Sequence, residues 1–250
     1  MHSLEVRARA REMFRAGVTM ADTARTLGLP YHTVREWCRR HPVDDRQAGT
    51  AARCFRCHPS IADNPDELAY AYLLGLYLGD GHLVTSARVP VLRIACAEKW
   101  PGLIDECERA MLVVLATSVR RVPQPGCVSV QSYGRHWPCL LPQHGPGKKH
   151  ERPIELAEWQ QPIIDRHRGP FLRGLFHSDG ARFANQVRTR GRTYVYPRYV
   201  FVNLSADIMR LCQESLDALG IAWRMNRPNS LSVARRDAVA ALDRHVGPKR

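Results

Sequence analysis

Two aspartates, Asp80 and Asp179, each end one of two similar apolar segments in this chain of 250 residues. The first segment, residues 73–81, has the sequence LLGLYLGDG, and the second, residues 172–180, has the sequence LRGLFHSDG. The two copies are 99 residues apart, and this domain-sized spacing indicates an internal duplication. Carboxylates in such matched positions are candidate ligands for divalent metal ions, which carboxylates and substrate phosphates bind together.

The segments that carry the aspartates predict two helices that meet along one face. Small residues recur four positions apart, as Gly75 and Gly79 in the first copy and as Gly174 and Ser178 in the second. Four residues are about one helical turn, so each pair shares a face and lets a partner backbone approach closely. If the helices cross at this face, the two aspartates meet where both helix dipoles are negative, and such a site needs cations.

Both segments resemble the motif of the LAGLIDADG homing endonucleases, in the single-chain form that carries two copies. The resemblance extends from about residue 67 to the C-terminus, and the matching positions are Leu73, Gly75, Leu76, Asp80 and Gly81 with Leu172, Gly174, Leu175, Asp179 and Gly180. It implies an α+β fold in which an αββαββα unit occurs twice, over residues 67–150 and 151–250, about a pseudo-twofold axis. Two antiparallel sheets would then form a saddle along the DNA.

The same resemblance implies a metal-dependent endonuclease that cuts double-stranded DNA at specific sites. Asp80 and Asp179 would hold two or three Mg²⁺ ions, with Gly79 and Ser178 as neighbouring ligands, and each aspartate would serve the cleavage of one strand.

The family also has a basic residue shortly before the second motif helix, which helps to orient water or to steady charge. Lys148 and Lys149 occupy that place. A match of residues 129–130 with residues 232–233 (Ser-Val in both) predicts Arg235, or the arginine after it, as the counterpart in the second repeat. A solvated loop that grips phosphate explains the two lysines equally well.

Alternating polar and apolar residues after each aspartate predict two hairpins per repeat, with a helix between them. β-Ribbons fit the major groove, and alternation turns every second side chain toward the bases. The sequence leaves the phase of each strand open, so the DNA-contact candidates are the polar residues of these strands as a group: Arg93, Gln131, Arg182, Gln186, Arg188, Arg198, Asn203, Arg224 and Asn226.

Residues 1–42 predict a separate helix-turn-helix domain of three short helices, with Gly28 in a turn and Val34 and Trp37 in a small core. The second helix of such a pair enters the major groove of DNA. A module that only packs on the rest of the protein is the alternative. The residues expected on the exposed side of the third helix are Tyr31, His32, Thr33, Arg35, Arg39 and Arg40.

Residues 43–66 form a linker that is rich in Pro, Asp, Ala and Arg and has no periodicity. It contains Cys54 and Cys57 in Cys-x-x-Cys spacing, which supplies two of the four ligands that a structural Zn²⁺ needs. Two unligated thiols are the alternative. For the missing ligands, the nearest candidates in the sequence are Cys38 and His41, and the others are His58, Cys96 and Cys139.

Charge and hydropathy restrict the partners and the compartment. The net charge of +13 favours polyanions over small neutral ligands. Eight cysteines, together with the lack of a signal peptide and of a membrane-length apolar run, predict reduced thiols in a cytoplasm. We therefore expect a cytoplasmic, nucleoid-associated protein of a bacterium or phage that does not bind membranes, and the two-motif resemblance implies a monomer with internal pseudo-twofold symmetry.

A rival hypothesis keeps the fold without the chemistry. A transcription regulator can use the same saddle and helix-turn-helix without hydrolysis, and some bacterial regulators carry a degenerate version of this fold. Retention of both Asp80 and Asp179 favours the endonuclease, because binding alone does not require them. A third, weaker hypothesis makes the protein an accessory to a recombinase whose chemistry lies in a partner.

Overall fold

The N-terminal part of the chain forms three short helices. A computed structural model describes residues 4–39, 54–57, 66–189, 191–247 and 249. The helices are α1 (Leu4–Arg15), α2 (Met20–Leu27) and α3 (Tyr31–Arg39), close to the three that the sequence predicts. Gly28 ends α2 at a φ of 63°, in the left-handed region that favours glycine.

The rest of the chain contains two units with the same order of elements. The first unit consists of α4 (Glu67–Asp80), β1 (Gly81–Val84), β2 (Val91–Ala97), α5 (Pro101–Val114), β3 (Arg120–Gln124), β4 (Cys127–Tyr133) and α6 (Trp137–Leu140). The second consists of α7 (Gln161–Arg166), α8 (Arg168–Asp179), β5 (Gly180–Thr189), β6 (Arg192–Val202), α9 (Ala206–Ala218), β7 (Arg224–Arg227), β8 (Ser230–Val233) and α10 (Arg236–Val246). With α7 as an added turn, the αββαββα unit occurs twice, and the predicted α+β fold is confirmed.

The two antiparallel sheets correspond strand by strand, in the orders β1-β2-β4-β3 and β5-β6-β8-β7. Their registers correspond as well, and through them Val130 is equivalent to Leu231. The match of residues 129–130 with 232–233 is therefore wrong by two positions. Strand β8 has the sequence Ser-Leu-Ser-Val, which offers two serine–aliphatic pairs, and the sequence alone does not choose between them.

Helices α4 and α8 cross through their glycines. A Cβ atom on Gly75 would lie 2.9 Å from Cα of Gly174, and a Cβ atom on Gly174 would lie 2.8 Å from Cα of Gly75. Both distances are well inside ordinary carbon–carbon contact, so only hydrogen fits at either position. Residues 70–78 of α4 are all buried, which makes this helix a core element rather than an amphipathic surface helix.

The sheets are covered on one side by the other helices. Helix α5 packs on β2 and β4, and α10 packs on β6. Strands β1 and β5 follow α4 and α8 directly, so both start near the point where these helices cross. The face of each sheet that does not pack on α5 or α10 points away from these helices.

Candidate active site

The two motif aspartates lie together at the C-terminal ends of the crossed helices. Gly79 allows this approach, because a Cβ atom there would lie 3.0 Å from Oδ2 of Asp179 and would overlap the side chain of Ser178. The side chain of Asp80 is exposed at the surface, whereas that of Asp179 is half-buried.

The surroundings make both aspartates weaker acids than usual. Desolvation is the main cause that raises the pKa of Asp179 to about 6, and the negative charge of Asp80 raises it further. Desolvation also raises the pKa of Asp80, although Lys149 and Lys249 oppose the shift. A divalent cation at this position would offset both the desolvation of the carboxylates and the repulsion between them.

Lys149 closes the end of helix α4. Its Nζ atom donates hydrogen bonds to the carbonyl oxygens of Tyr77, of Leu78 at 3.0 Å and of Gly79 at 2.8 Å. The last carbonyls of a helix have no donor within the helix, so the lysine satisfies them and offsets the negative end of the dipole. Burial lowers the pKa of Lys149 to about 8, although the two aspartates oppose this shift.

Lys249 closes the end of helix α8 in the same way. Its Nζ atom donates to the carbonyl oxygens of Ser178 at 3.3 Å and of Gly180 at 2.6 Å. Burial lowers its pKa as well, again against the charges of the two aspartates. The two lysines therefore hold equivalent positions, one in each repeat.

Two other basic residues that were predicted for this role lie elsewhere. The side chain of Lys148 is exposed, and Arg235 forms an ion pair with Asp237 at 2.8 Å. The structure thus brings Lys249, and not Arg235, to the aspartates. Lys249 follows Lys149 by 100 residues, almost the spacing of the two aspartates, and this offset is the sequence signal that would have found it.

Each aspartate opens onto a cavity that combines both repeats. The cavity at Asp179 is also lined by Gly79 and Lys149 from the first repeat, and the cavity at Asp80 is also lined by Ser178 and Lys249 from the second. We refer to these as the two composite sites.

Asn203 distinguishes the two composite sites. The sequence predicts it as a DNA contact, but its Nδ2 atom donates to Oδ2 of Asp179 at 2.7 Å. This hydrogen bond favours the ionised carboxylate and lowers the pKa of Asp179 against the raising effects of burial and Asp80. At the equivalent position of the first repeat, by sheet register, the chain has the buried Cys96.

The duplicated αββαββα unit, with crossed motif helices that end in paired aspartates, is the arrangement that the sequence resemblance implies. The chain has the LAGLIDADG homing-endonuclease fold. It is similar to the homing endonuclease I-WcaI bound to its DNA recognition sequence, with a TM-score of 0.49, 12% identity, and coverage of 74% of this chain and 83% of that chain. It is also similar to I-DmoI in complex with DNA and Mn, with a TM-score of 0.46, 14% identity, and coverage of 73% and 98%.

A third similar structure is the N-terminal LAGLIDADG domain of DUF199/WhiA, with a TM-score of 0.44, 13% identity, and coverage of 85% of this chain and 95% of that chain. No protein-family model and no curated protein matches the chain.

In the first repeat of this LAGLIDADG fold, one polar row crosses the sheet on the face away from α5. Arg93 pairs with Gln131, and the row continues to His82 on β1 and Arg120 on β3. Directly opposite residues share a face, and the neighbouring Ile94 is fully buried on the other side. The predicted pair Arg93 and Gln131 therefore lies on the face away from α5, together with His82, which the sequence does not single out as a DNA contact.

In the second repeat, the corresponding row contains Arg224, which pairs with Ser232 as Arg120 pairs with Gln131. Asn226 lies beside it, because the hydroxyl of Ser232 donates to its side-chain oxygen at 3.0 Å. Arg198 lies on the same face, two residues before the residue of β6 that pairs with Ser232.

Arg182, Gln186 and Arg188 alternate onto the opposite face of β5. Arg182 pairs in register with the buried Tyr199, and its guanidinium donates to the carboxylate of Asp243 on α10 at 2.7 and 2.9 Å. The sequence leaves the phase of each strand open, and the structure places these three candidates on the face opposite to the one that carries Arg198. A strand reverses the face with every residue, and the sequence pattern of β5 does not determine its phase.

Helix α3 is the predicted recognition helix of the helix-turn-helix. Tyr31, His32 and Arg35 are exposed on it, and Thr33 is half-buried. The backbone of Arg39 is helical, and Arg40 lies outside the described residues.

Cys54 and Cys57 have partners other than those nearest in the sequence. Their sulfur atoms lie with ligand atoms of His136 and Cys139, all four within 4.8 Å of one another. The structure contradicts Cys38 as a ligand, because its sulfur lies 3.8 Å from the carbonyl oxygen of Ala10 between α1 and α3.

Two of the other ligand candidates, His41 and His58, lie outside the described residues. Cys139 is among the predicted ligands and His136 is not, although the His-x-x-Cys spacing of these two residues complements Cys-x-x-Cys in a zinc site. Among helices in the described ranges, none combines the length and apolarity that crossing a membrane requires.

Proposed function

We propose that this protein is a sequence-specific endonuclease that hydrolyses both strands of double-stranded DNA with Mg²⁺ and acts as a monomer. The observation that carries this proposal is the pair of composite sites, each with one aspartate and one lysine. The two strands of a duplex run antiparallel and are related by a local twofold axis. Two equivalent acidic sites about a pseudo-twofold axis therefore suit one phosphodiester bond on each strand.

The donor set of the composite sites fits Mg²⁺. Asp80 and Asp179 supply carboxylate oxygens, and the carbonyl oxygens of Gly79 and Ser178 lie at the same helix ends. Mg²⁺ is a hard cation that takes oxygen ligands and binds through one or two carboxylates together with substrate phosphates. When bound, it supplies Lewis-acid activation of water and neutralises charge that develops on the phosphate.

The residues of the chain then have distinct tasks. The ionised carboxylates of Asp80 and Asp179 hold the cations at the groove between the repeats. Lys149 and Lys249 hold the carbonyls of the last helical turns and add positive charge close to the scissile phosphates. We assign both lysines as positioning residues, because their Nζ atoms donate hydrogen bonds to backbone carbonyls of α4, α8 and the first residue of β5.

The uncovered faces of the two sheets are the proposed DNA surface. On the first sheet, the row from His82 to Arg120 presents two arginines, a histidine and an amide, which suit phosphates and base edges in the major groove. On the second sheet, Arg198, Arg224 and Asn226 take this role. The row of the second sheet is less polar, so we expect the half-site under the first sheet to be the more strictly specified.

The three-helix unit is proposed to act as a helix-turn-helix that adds contacts beside the main site. Tyr31, His32 and Arg35 are exposed on α3 and would face the DNA, with Thr33, Arg39 and Arg40 as further candidates. This unit also supports a second candidate function, a transcription regulator that binds through the same surfaces without cutting.

Selection followed by cleavage separates the two functions. The full-length protein selects ligands from a randomised duplex library in Ca²⁺, and the selected duplexes are then incubated with the protein in Mg²⁺. We expect selective binding in Ca²⁺ and cuts in both strands in Mg²⁺. Selective binding without any cut in Mg²⁺ or Mn²⁺ would establish the regulator and overturn the endonuclease.

Three variants assign the chemistry. Asp80→Asn and Asp179→Asn are each expected to bind the selected duplex and to lose cleavage of at least one strand. Asp237→Asn is the matched control, because Asp237 is exposed and forms an ion pair with Arg235 at 2.8 Å. Unchanged cleavage of both strands by Asp80→Asn would contradict the proposed role of the pair.

A further inference from the structure

Three cysteine sulfurs and one histidine nitrogen from two distant parts of the chain meet beside the first repeat. Cys54 and Cys57 come from the short described segment between the three-helix unit and α4, and His136 and Cys139 come from the start of α6. In each half the two residues are three positions apart. The four residues, which we call the Cys₃His cluster, lie outside the composite sites and take no part in the proposed cleavage.

The distances in the Cys₃His cluster match a tetrahedral metal centre. Zn–S bonds of about 2.3 Å and Zn–N bonds of about 2.0 Å place sulfurs roughly 3.8 Å apart, and sulfur and nitrogen roughly 3.5 Å apart, in a tetrahedron. The sulfurs of Cys57 and Cys139 are 3.6 Å apart. Nδ1 of His136 lies 3.3 Å from the sulfur of Cys57 and 3.8 Å from that of Cys139.

The turn that carries the first two ligands is compact and well supported. The amide of Cys57 donates to the carbonyl of Cys54 at 3.0 Å, and Cys54 is fully buried. Between them, the ring of Phe55 packs edge-on against Tyr70 at 5.5 Å and against Trp159 at 5.6 Å between centroids.

The second half of the cluster is supported by the same aromatic group. The hydroxyl of Tyr70 donates to the carbonyl of Leu140, the residue after Cys139, at 2.7 Å. Tyr70 thus contacts the residue after Cys54 and the residue after Cys139, and so links the two halves of the cluster. A site braced in this way keeps its ligands near their binding geometry before a metal arrives.

We propose that Cys54, Cys57, His136 and Cys139 bind one structural Zn²⁺ that fastens the segment after the three-helix unit to the first repeat. Three thiolates and an imidazole are a donor set of structural zinc sites, and four protein ligands leave no open position for catalysis. The cluster has no carboxylate that would favour Mg²⁺ or Ca²⁺ instead.

The proposed zinc site explains how the short segment of residues 54–57, which has no helix or strand, is fastened to the protein. Fourteen residues separate Arg39 at the end of α3 from Cys54. The metal would therefore set the point from which the three-helix unit is tethered. The zinc site does not depend on the proposed endonuclease activity, because it would bind metal whether or not the protein cuts DNA.

Metal content and spectroscopy of the full-length, reduced protein test the zinc site. We expect one zinc per chain after purification without chelator, and a Co²⁺-substituted protein with the visible absorption of a tetrahedral thiolate site. Cys57→Ser and Cys139→Ser are expected to lose both signals. Cys127→Ser is the matched control, because its sulfur contacts the side chain of Gln124 and lies outside the cluster.

Thermal unfolding with and without a chelator tests the zinc site even if one of the cysteine variants is less stable than wild type. A strong chelator should lower the Tm of wild type and of Cys127→Ser, and should leave the Tm of Cys57→Ser unchanged. Three results would overturn the proposal: wild-type protein that contains no zinc and shows no Co²⁺ spectrum, Cys57→Ser protein that retains one zinc, or a disulfide between Cys57 and Cys139 in protein alkylated under native conditions.

Discussion

The substitution Gly174→Ala tests the close crossing of helices α4 and α8 on which both composite sites depend. The new Cβ atom would lie 2.8 Å from Cα of Gly75 and 2.8 Å from N of Leu76, and would run into the carbonyl oxygen of Tyr72. Ordinary carbon–carbon contact is about 3.5–4.0 Å, so the helices must separate by roughly 1 Å. All of these atoms belong to the backbone and cannot rotate away.

Two opposed effects determine how much Gly174→Ala changes the free energy of unfolding. Overpacking a core typically costs about 1–3 kcal/mol and sometimes more, and a backbone clash belongs at the upper end. Alanine gains about 1 kcal/mol over glycine inside a helix. We therefore expect a net loss of about 2 kcal/mol or more in the free energy of unfolding, or about 4–8 °C in Tm for a chain of this size.

Urea unfolding and Mg²⁺-dependent cleavage measure the two consequences of this substitution. Ser178→Ala is the matched control, because it also introduces an alanine on this face of α8, but it makes the side chain smaller instead of larger. Its hydroxyl donates only to carbonyls of its own helix, at 3.1 and 2.9 Å, so its loss is expected to cost less than about 1 kcal/mol. A Gly174→Ala variant as stable as wild type would refute the close crossing.

Three further outcomes are expected from the electrostatics of the composite sites. Protons compete with the cation at Asp179, whose pKa is about 6, so Ca²⁺ affinity measured by calorimetry should be nearly constant above that pH and fall about tenfold per pH unit below it. Because this pKa is raised above the unfolded value, the ionised carboxylate destabilises the metal-free fold above pH 6 and not below about pH 4. Asp179→Asn should therefore raise the free energy of unfolding by up to about 3 kcal/mol at pH 7.5, with the gain lost at pH 4, and a gain independent of pH would contradict this. Lys149→Ala and Lys249→Ala should each slow cleavage by about 10- to 100-fold, from charged hydrogen bonds worth about 1.5–3 kcal/mol, whereas Lys148→Ala and Arg235→Ala should change the rate less than threefold.

The local parts of this fold follow from the order of residues. Duplicate apolar segments with small residues four apart predicted two crossed helices, and the structure has them at Glu67–Asp80 and Arg168–Asp179. The three N-terminal helices were predicted for similar reasons, because caps, glycine stops and apolar spacing act within a few residues. These features depend on neighbours in the sequence, so periodicity reveals them.

The basic residue at the end of α8 could not be predicted in this way, because its identity depends on the path of the chain after α10. Arg235 and Lys249 both follow the last strand of the second repeat, and a misaligned serine–valine pair favoured the arginine. In the structure Arg235 is drawn to Asp237, while Lys249 reaches the carbonyls at the end of α8. A contact across about 70 residues leaves no trace in local periodicity.

The sequence by itself determined that two acidic helix ends exist, that they are equivalent, and that the chain suits a polyanion. Tertiary structure decided which sheet face each polar strand residue occupies and which residues join Cys54 and Cys57. Because successive residues of a strand face opposite sides, Arg182 on β5 contacts Asp243 and does not lie on the surface that carries Arg198. Packing of Phe55 and Tyr70 brought His136 and Cys139, rather than Cys38, to Cys54 and Cys57. Strand phase and cross-chain ligation are set by packing of the whole chain, and residue order constrains them only through that packing.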